Sequence, residues 1–245
     1  MSTLDFITPQ WSAPANVRAF STTRTGGVSE FPYDSLNVGG HVGDEHLAVQ
    51  MNRQNLPRYQ NIKWLEQVHG VGCVTLDAAS AQNQRFDASR TILTNVVCAV
   101  MTADCLPILL CNKQGNEVAA VHAGWKGLAD GVIENSCEIM RSSPTDILAW
   151  IGPHISQVNF EVNETVLNRF AHYSHCFVKG RSEGKYQANL QAIAQAKLAA
   201  LGISDIYTAD MCTYKNEKQF FSHRRATHQG ISNTGRMVSG IYLHS

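Results

Sequence analysis

The chain has 245 residues, of which 44% are hydrophobic and 16% are charged, a composition that excludes a disordered chain and indicates a globular protein. Twenty basic residues balance twenty acidic ones, so no overall positive field attracts nucleic acid or an anionic membrane surface. No secretory signal pattern and no run of the ~20 apolar residues that span a bilayer occur. We therefore expect a cytoplasmic protein without nucleic-acid or membrane partners, and its oligomeric state stays open.

Extended segments are predicted where β-branched and apolar residues run between turn formers. They lie at residues 17–22, 71–76, 96–101, 108–111, 117–122, 147–151, 205–207 and 238–243. Apolar periodicity predicts helices at 128–141, 164–171 and 190–201, the last ending at Gly202, and a weaker helix at 45–56. These elements interleave irregularly without an internal repeat, so we expect one α/β or α+β domain over residues 1–245.

Glycine-containing loops are candidate ligand-binding segments. The loop at 22–29 places Arg24 at the mouth of a turn, where it either holds an anion or caps a surface turn. The loop at 33–44 is a ligand loop or a tight turn. The loop at 122–127 joins an apolar strand to a helix N-terminus, whose backbone donors favour phosphate.

The seven cysteines are scattered and mostly lie in apolar contexts, so we expect buried small hydrophobes rather than a disulfide scaffold. Cys105 is the least ordinary, because it lies between Asp104 and the Pro107 turn. His69 and His122 lie at the ends of apolar segments near glycine, where a rigid backbone suits metal ligands. A catalytic zinc needs three such ligands and an open fourth position. Each residue also has an ordinary structural interpretation, and the spacing matches no short metal motif.

Motifs spread along the chain are more specific than any single residue. They are STTRTGGVS (21–29), YDSLNVG (33–39), WLEQVHG (64–70), MTADCLP (101–107), VAAVHAGWKG (118–127), IGPHI (151–155) and FFSHRR (220–225). Together and in this order, they closely resemble the YfiH family of purine nucleoside phosphorylases, also called polyphenol oxidases or peptidoglycan editing factors. The resemblance covers essentially the whole chain.

The resemblance implies a single-domain α+β fold, a layered α/β/β/α sandwich with mixed sheets. It also implies a catalytic zinc site at His69, Cys105 and His122. The implied activities are phosphorolysis of adenosine, inosine, guanosine and methylthioadenosine, and deamination of adenosine. Purine nucleosides and phosphate are therefore the expected partners.

Substrate contacts are assigned within this implied function. Arg24 and the loop containing Lys126 are candidates for anion binding, and Asn37 and His41 are candidates for sugar or base contacts. The segment after Phe221 departs from the family pattern, since His223 replaces a tyrosine and Ala226 replaces an aspartate. We therefore rank the arginines of this segment below the metal ligands.

Three other functions are possible for a chain with these candidate metal ligands. A hydrolase that edits peptidoglycan precursors would attack an amide with zinc-activated water or with a Cys105 thiolate. A copper polyphenol oxidase (laccase) is less favoured, because none of the ten histidines forms the His-X-His pairs of multicopper oxidases. A binding module with a structural zinc is disfavoured, since structural sites usually have four protein ligands.

Overall fold

The structure, a computed structural model, describes residues 4–244. The helices are α1 (His46–Gln54), α2 (Trp125–Asp130), α3 (Val132–Ile139), α4 (Glu164–Arg169), α5 (Leu190–Ala200) and α6 (His223–His228). The strands are β1 (Phe6–Ile7), β2 (Val17–Thr22), β3 (Ile62–Lys63), β4 (Cys73–Thr75), β5 (Ala88–Thr91), β6 (Val97–Thr102), β7 (Leu106–Asn112), β8 (Val118–Ala123), β9 (Ile147–Ile151), β10 (Glu161–Asn163), β11 (Phe177–Lys179), β12 (Lys185–Ala188), β13 (Asp205–Thr208) and β14 (Met237–Leu243).

Within residues 4–244 the strands form three sheets. The five-stranded sheet has the order β1-β2-β14-β6-β3, the six-stranded sheet β13-β9-β7-β8-β5-β4, and the small sheet β10-β12-β11. In the six-stranded sheet β7 pairs antiparallel with both β8 and β9, whereas β13 pairs parallel with β9 and β4 with β5. The two large sheets are mixed and the small sheet is antiparallel, which confirms the expected fold class.

The two large sheets pack face to face, and the period-two alternation of their central strands builds the layer between them. Cys98 and Val100 of β6 lie in this layer, and Val118 and Ala120 of β8 lie opposite. Trp150 of β9, which is 1% exposed, belongs to the same cluster. The buried interior between the sheets is therefore continuous and apolar.

Helical segments cover the outer faces of this sandwich. Val121 of β8 packs with Leu128 of α2, Ile133 of α3 and Leu198 of α5 on one side. On the other side, Leu56, two residues beyond the end of α1, packs in the cluster on the outer face of β6. The layers run helix, sheet, sheet, helix, as the resemblance implies. No helix in the described range is long and apolar enough to cross a membrane.

The predicted helix at 128–141 is wrong in its extent and continuity. Helix α2 begins at Trp125, and Gly131 separates it from α3 with φ 105°, a left-handed conformation that favours glycine. The predicted helix at 164–171 ends earlier, because the chain from Ala171 to Cys176 continues as a 3₁₀ helix. Helix α5 matches its prediction and stops before Gly202, where φ is 95°.

Strand β5 is an element that apolar patterning does not reveal, because its sequence is Ala-Ser-Arg-Thr. Arg90 of β5 forms an ion pair with Glu117 at 2.9 Å, and both side chains are 2% exposed. The Glu117 carboxylate also accepts hydrogen bonds from the backbone N–H groups of Arg141 and Ser142 and from the Ser142 hydroxyl. The strand is thus held in the interior by a buried charge pair with satisfied oxygens.

Replacement of Glu117 by glutamine should lower the free energy of unfolding by about 3–5 kcal/mol, because Arg90 is then buried without a counter-charge. The matched control is Glu66→Gln, whose partner Arg85 has a side chain 73% exposed, so the expected loss is under about 1 kcal/mol. Urea unfolding of the two variants measures the difference. Equal stability of both variants would contradict the assigned role of the buried pair.

Candidate metal centre and its two cavities

His69, Cys105 and His122 come together at one end of the sandwich. One ligand atom from each lies within 4.8 Å of the other two, and Cys105 Sγ is 4.0 Å from His69 Nε2. In a tetrahedral zinc site, nitrogen and sulfur ligands lie about 3.5 Å apart, given bond lengths of about 2.0–2.3 Å. A small inward movement therefore brings the three atoms to bonding distance. This donor set of two imidazoles and one thiolate fits a catalytic zinc ion with an open fourth position.

Adjacent strands place two of the three residues. His122 lies in β8, opposite Pro107 of β7, and Cys105 directly precedes β7. Asp104 turns the chain before Cys105 with φ 99°, a strained value for a residue other than glycine. Its carboxylate accepts hydrogen bonds from the Thr213 hydroxyl at 2.6 Å and from the Arg224 backbone N–H at 2.7 Å. These contacts hold the turn that presents the thiol.

The buried carboxylate of Asp87 positions both histidines. It accepts hydrogen bonds from the backbone N–H groups of Val68, His69 and Gly70, at 3.2, 2.9 and 2.7 Å. These bonds hold the loop in which His69 adopts φ 57°. Asp87 also lies 2.8 Å from Nδ1 of His122. This bond leaves Nε2 of His122 free for a metal, the arrangement that orients histidine ligands in many metal sites.

The charges of the cluster support thiolate formation. Burial raises the pKa of the Cys105 thiol, but the charge and hydrogen bond of His122, together with His69, outweigh burial and lower the pKa to about 6. Burial lowers the pKa of His122, but Cys105 and Asp87 outweigh it and raise the pKa to about 9. Without a metal, the pair is therefore a thiolate and an imidazolium at neutral pH. Thiolate is the form that binds zinc.

Gly124 makes room for the cluster. A Cβ atom at this position would lie 2.8 Å from Cδ2 of His69 and 3.2 Å from Sγ of Cys105. The predicted 122–127 loop is also shorter than expected, because α2 begins at Trp125 and Gly124 alone separates it from β8. Lys126 and Gly127 are accordingly helical residues. The segment is a tight strand-to-helix junction, and phosphate binding at its helix N-terminus stays a prediction.

The cluster separates two cavities of different chemistry. The first, which we call the histidine cavity, has a volume of about 300 Å³ and is lined by His41, Gln67, His223 and Arg236 beside the cluster. The second, which we call the aromatic cavity, has a volume of about 360 Å³ and is lined by Trp125, Phe160, Ile155, Leu190, Lys126 and Arg224, among others. His69, Ala103, Cys105 and His223 line both. A polar, donor-rich space and a partly apolar space therefore meet at the candidate metal centre.

The structure brings two of the four predicted substrate-binding residues to this centre. His41 lines the histidine cavity, and Lys126 lines the aromatic cavity. Arg24 instead lines a separate cleft of about 490 Å³, pairs with Asp34 at 3.1 Å and lies over the Phe221 ring. That cleft is larger than either cavity, but no member of the His69, Cys105 and His122 cluster lines it.

Asn37 is fully buried and has no polar group left for a ligand. Its Nδ2 donates to the Gly39 carbonyl and to Asp44, and its Oδ1 accepts from the backbone N–H groups of Gly39 and Arg236. The side chain therefore ties the 37–44 loop to the segment before β14. Its contacts are those of a residue that positions Arg236.

Sequence reasoning did not select Asp87, Arg236 or Gln67. Asp87 precedes the polar strand β5, so neither periodicity nor a motif distinguishes it. Arg236 follows Thr-Gly, a short turn signal that could have been examined as a loop at a site. His223, which departs from the family pattern, lines both cavities. The substitution therefore changes the wall of the site itself.

Comparison with known proteins identifies the family. The purine nucleoside phosphorylase YfiH of Shigella flexneri is 45% identical over 245 residues, covering 97% of this chain and 98% of that protein. A purine nucleoside phosphorylase of Pseudomonas aeruginosa is 41% identical over 244 residues, with the same coverage. A family model described as multi-copper polyphenol oxidoreductase laccase matches residues 18–244. The chain belongs to the YfiH family.

A crystal structure of a Neisseria meningitidis protein is similar to this YfiH-family chain over nearly its full length. The TM-score is 0.92 at 40% identity, and the match covers 98% of this chain and 99% of the other. The family indicated by the motifs is thereby confirmed. The names of the curated relatives support an enzyme of the purine nucleoside phosphorylase type.

Replacement of Asp87 by asparagine should weaken zinc binding by about 10- to 100-fold, since a residue that orients a metal-ligating histidine is lost. Competition with a chromogenic chelator measures the affinity. The control is Asp77→Asn, an exposed carboxylate whose side chain bonds to Ser80, and its affinity should match the wild type. Unchanged zinc affinity in D87N would show that Asp87 does not organise the ligands.

Cys105 of metal-free protein should react rapidly with iodoacetamide at pH 7, because the thiolate is the nucleophile and its pKa is about 6. The rate should fall as the pH drops through about 6, as the thiol becomes protonated. Cys98 should stay unmodified in the folded protein, since it is 0% exposed and burial raises its pKa to about 12. Mass spectrometry identifies the modified cysteine. A rate that instead rises only near the ordinary thiol pKa of about 8.5 contradicts this assignment.

Proposed function

We propose that this protein is a zinc-dependent purine nucleoside phosphorylase, with one enzyme domain over residues 1–245. Its substrates are adenosine, inosine, guanosine and methylthioadenosine, together with phosphate, and adenosine deamination is a second reaction at the same centre. The catalytic metal is held by His69, Cys105 and His122. The names of the relatives support the nucleoside class.

One observation carries the proposal: the three candidate ligands lie where a donor-rich cavity meets a partly aromatic one. A purine ring is flat and apolar on its faces, so Trp125 and Phe160 suit it. Lys126 and Arg224 line the same cavity and can donate hydrogen bonds to purine acceptors. A nucleoside with its base in the aromatic cavity would place its sugar near the metal cluster.

Each residue has a defined part in the chemistry. A zinc ion supplies Lewis acidity, which polarises oxygen atoms and makes water more acidic. His122 binds it through Nε2 because Nδ1 is engaged by Asp87. In phosphorolysis, the side chains of the histidine cavity hold the phosphate, and donors of the aromatic cavity stabilise charge that develops on the departing purine.

Zinc is favoured over copper by the donor set and by the surroundings. The described residues contain one cluster of three potential ligands, and none of the ten histidines forms a His-X-His pair. Multicopper oxidases need further histidines for their trinuclear cluster. All seven cysteines are free, which supports a reducing compartment and the proposed cytoplasmic location.

The decisive assay incubates zinc-quantified protein with adenosine or inosine, with and without phosphate, and separates the products by chromatography. Free base and ribose 1-phosphate should appear only with phosphate, and inosine should form from adenosine without it. No nucleoside turnover by zinc-loaded protein would contradict the proposal and favour hydrolytic editing of peptidoglycan precursors.

Cys105→Ala and His122→Ala should lose zinc and nucleoside cleavage together, because each removes a metal ligand. Cys98→Ala is the matched control, since Cys98 lies in the layer between the sheets and its loss affects packing alone. Metal content and rates are measured on the same samples. Full activity in either variant without bound metal would exclude the metal mechanism.

A further inference from the structure

Arg236 lines the histidine cavity with a partly buried guanidinium, and some of its N–H groups donate no hydrogen bond among the described residues. Its Nη1 donates to the carbonyls of Thr234 and Gly235, at 2.8 and 3.2 Å, whereas Nε and Nη2 have no hydrogen-bond partner among residues 4–244. Within the same range no carboxylate lies at ion-pair distance. Burial lowers the pKa of Arg236 and outweighs the opposing effect of the nearby Cys105 and Asp104, so its positive charge is poorly solvated there.

Arg53 is a second desolvated guanidinium without a carboxylate partner among the described residues. It lies in the last turn of α1, donates from Nε to the Val38 carbonyl at 2.9 Å and stacks over the Trp64 ring at 3.9 Å. Burial lowers its pKa to about 10, and no carboxylate in the described part of the chain pairs with it. Among residues 4–244 neither desolvated cation has a carboxylate at ion-pair distance, and such charges are costly to the fold, which points to a missing anion.

The 39–41 turn lies beside both arginines. A Cβ on Gly39 would lie 2.8 Å from Cγ of Arg236, and a Cβ on Gly40 would lie 3.9 Å from an Nη atom of Arg53. The next residue, His41, lines the histidine cavity and lies near both charges: its pKa is lowered by burial and then by Arg236 and Arg53. The turn therefore brings His41 within the field of both positive groups.

The wall of the histidine cavity contains no acidic side chain among the described residues. The nearest carboxylates are engaged: Asp87 accepts from three backbone N–H groups and contacts His122, and Asp104 accepts from Thr213 and Arg224. An anion in this cavity would therefore meet donors and no free carboxylate oxygen. Guanidinium groups suit phosphate, because their planar forks match its oxygens.

We propose that Arg236 binds the inorganic phosphate of the phosphorolysis reaction in the histidine cavity, with His41 and His223 as further donors and Arg53 reinforcing the positive potential. This assignment rests on the proposed phosphorylase function and replaces Arg24 as the anion-binding residue. Arg24 has Asp34 as its partner in a different cleft.

The bound phosphate attacks from a fixed position beside the metal cluster. One phosphate oxygen forms a bond to C1′ of the ribose, and the glycosidic C1′–N bond breaks. Its electron pair goes to the purine nitrogen, which gains the proton that the hydrogen phosphate ion loses as it forms the ester. The products are base and ribose 1-phosphate, with no change in oxidation state.

The kinetic test compares zinc-loaded wild type with Arg236→Gln. Loss of a charge-assisted hydrogen bond should raise the KM for phosphate by about 10- to 150-fold. Adenosine deamination needs no phosphate, so its rate should change far less. Arg236→Lys keeps the positive charge but loses the planar guanidinium that donates two parallel hydrogen bonds, so it should retain part of the phosphate affinity. Arg85→Gln, an exposed arginine on Glu66, is the matched control and should leave the KM unchanged.

A binding readout separates this assignment from the phosphorylase proposal. Inorganic phosphate should raise the melting temperature of wild type and Arg85→Gln, since a ligand that binds the folded state stabilises it. It should raise that of Arg236→Gln little or not at all. If wild type shows this stabilisation but cleaves no nucleoside, the anion site stands and the phosphorylase proposal fails. An unchanged phosphate response in Arg236→Gln, or loss of the response in Arg24→Gln instead, overturns the assignment.

Discussion

The buried carboxylate of Asp87 is the constraint on which the site depends. It is 0% exposed and accepts the backbone N–H groups of Val68, His69 and Gly70 while contacting Nδ1 of His122. A charge in such a place is tolerated because each oxygen has charge-assisted partners. One side chain thus fixes the loop of the first histidine and the ring orientation of the second. Without Asp87, no single side chain would fix the orientation of the two imidazole rings relative to each other.

The layered fold turns this local constraint into a reactive centre. Neighbouring strands β7 and β8 bring Cys105 and His122 side by side at the end of the sheet, and α6 closes the site with His223. Because strand ends are rigid and loops supply diversity, chemistry concentrates at such edges. The cluster of His69, Cys105 and His122 then divides the space into a donor-rich cavity and a partly aromatic cavity. The proposed phosphorolysis would use such a division, since an anion and a nucleobase must meet at one sugar carbon.

Strands with apolar runs were predictable from the sequence, and β2 and β9 match their predicted bounds. The polar strand β5 was not, because its place in the interior depends on the distant Glu117 carboxylate. The ligand set came from motifs shared with a family and not from spacing. Arg236 could not be selected from the sequence, because its interest depends on which side chains lie near it in the fold. That no carboxylate among residues 4–244 pairs with Arg236 follows from the fold, and no linear pattern shows it.

The most direct test of the account is zinc K-edge X-ray absorption on zinc-loaded wild type, with Cys105→Ser as its partner. The account predicts one sulfur ligand at about 2.3 Å, two imidazole nitrogens at about 2.0–2.1 Å and a further light ligand in the open position. The sulfur contribution should vanish in the variant. A wild-type spectrum without sulfur, or with two or more sulfur ligands, would contradict an open centre built from two histidines and one cysteine.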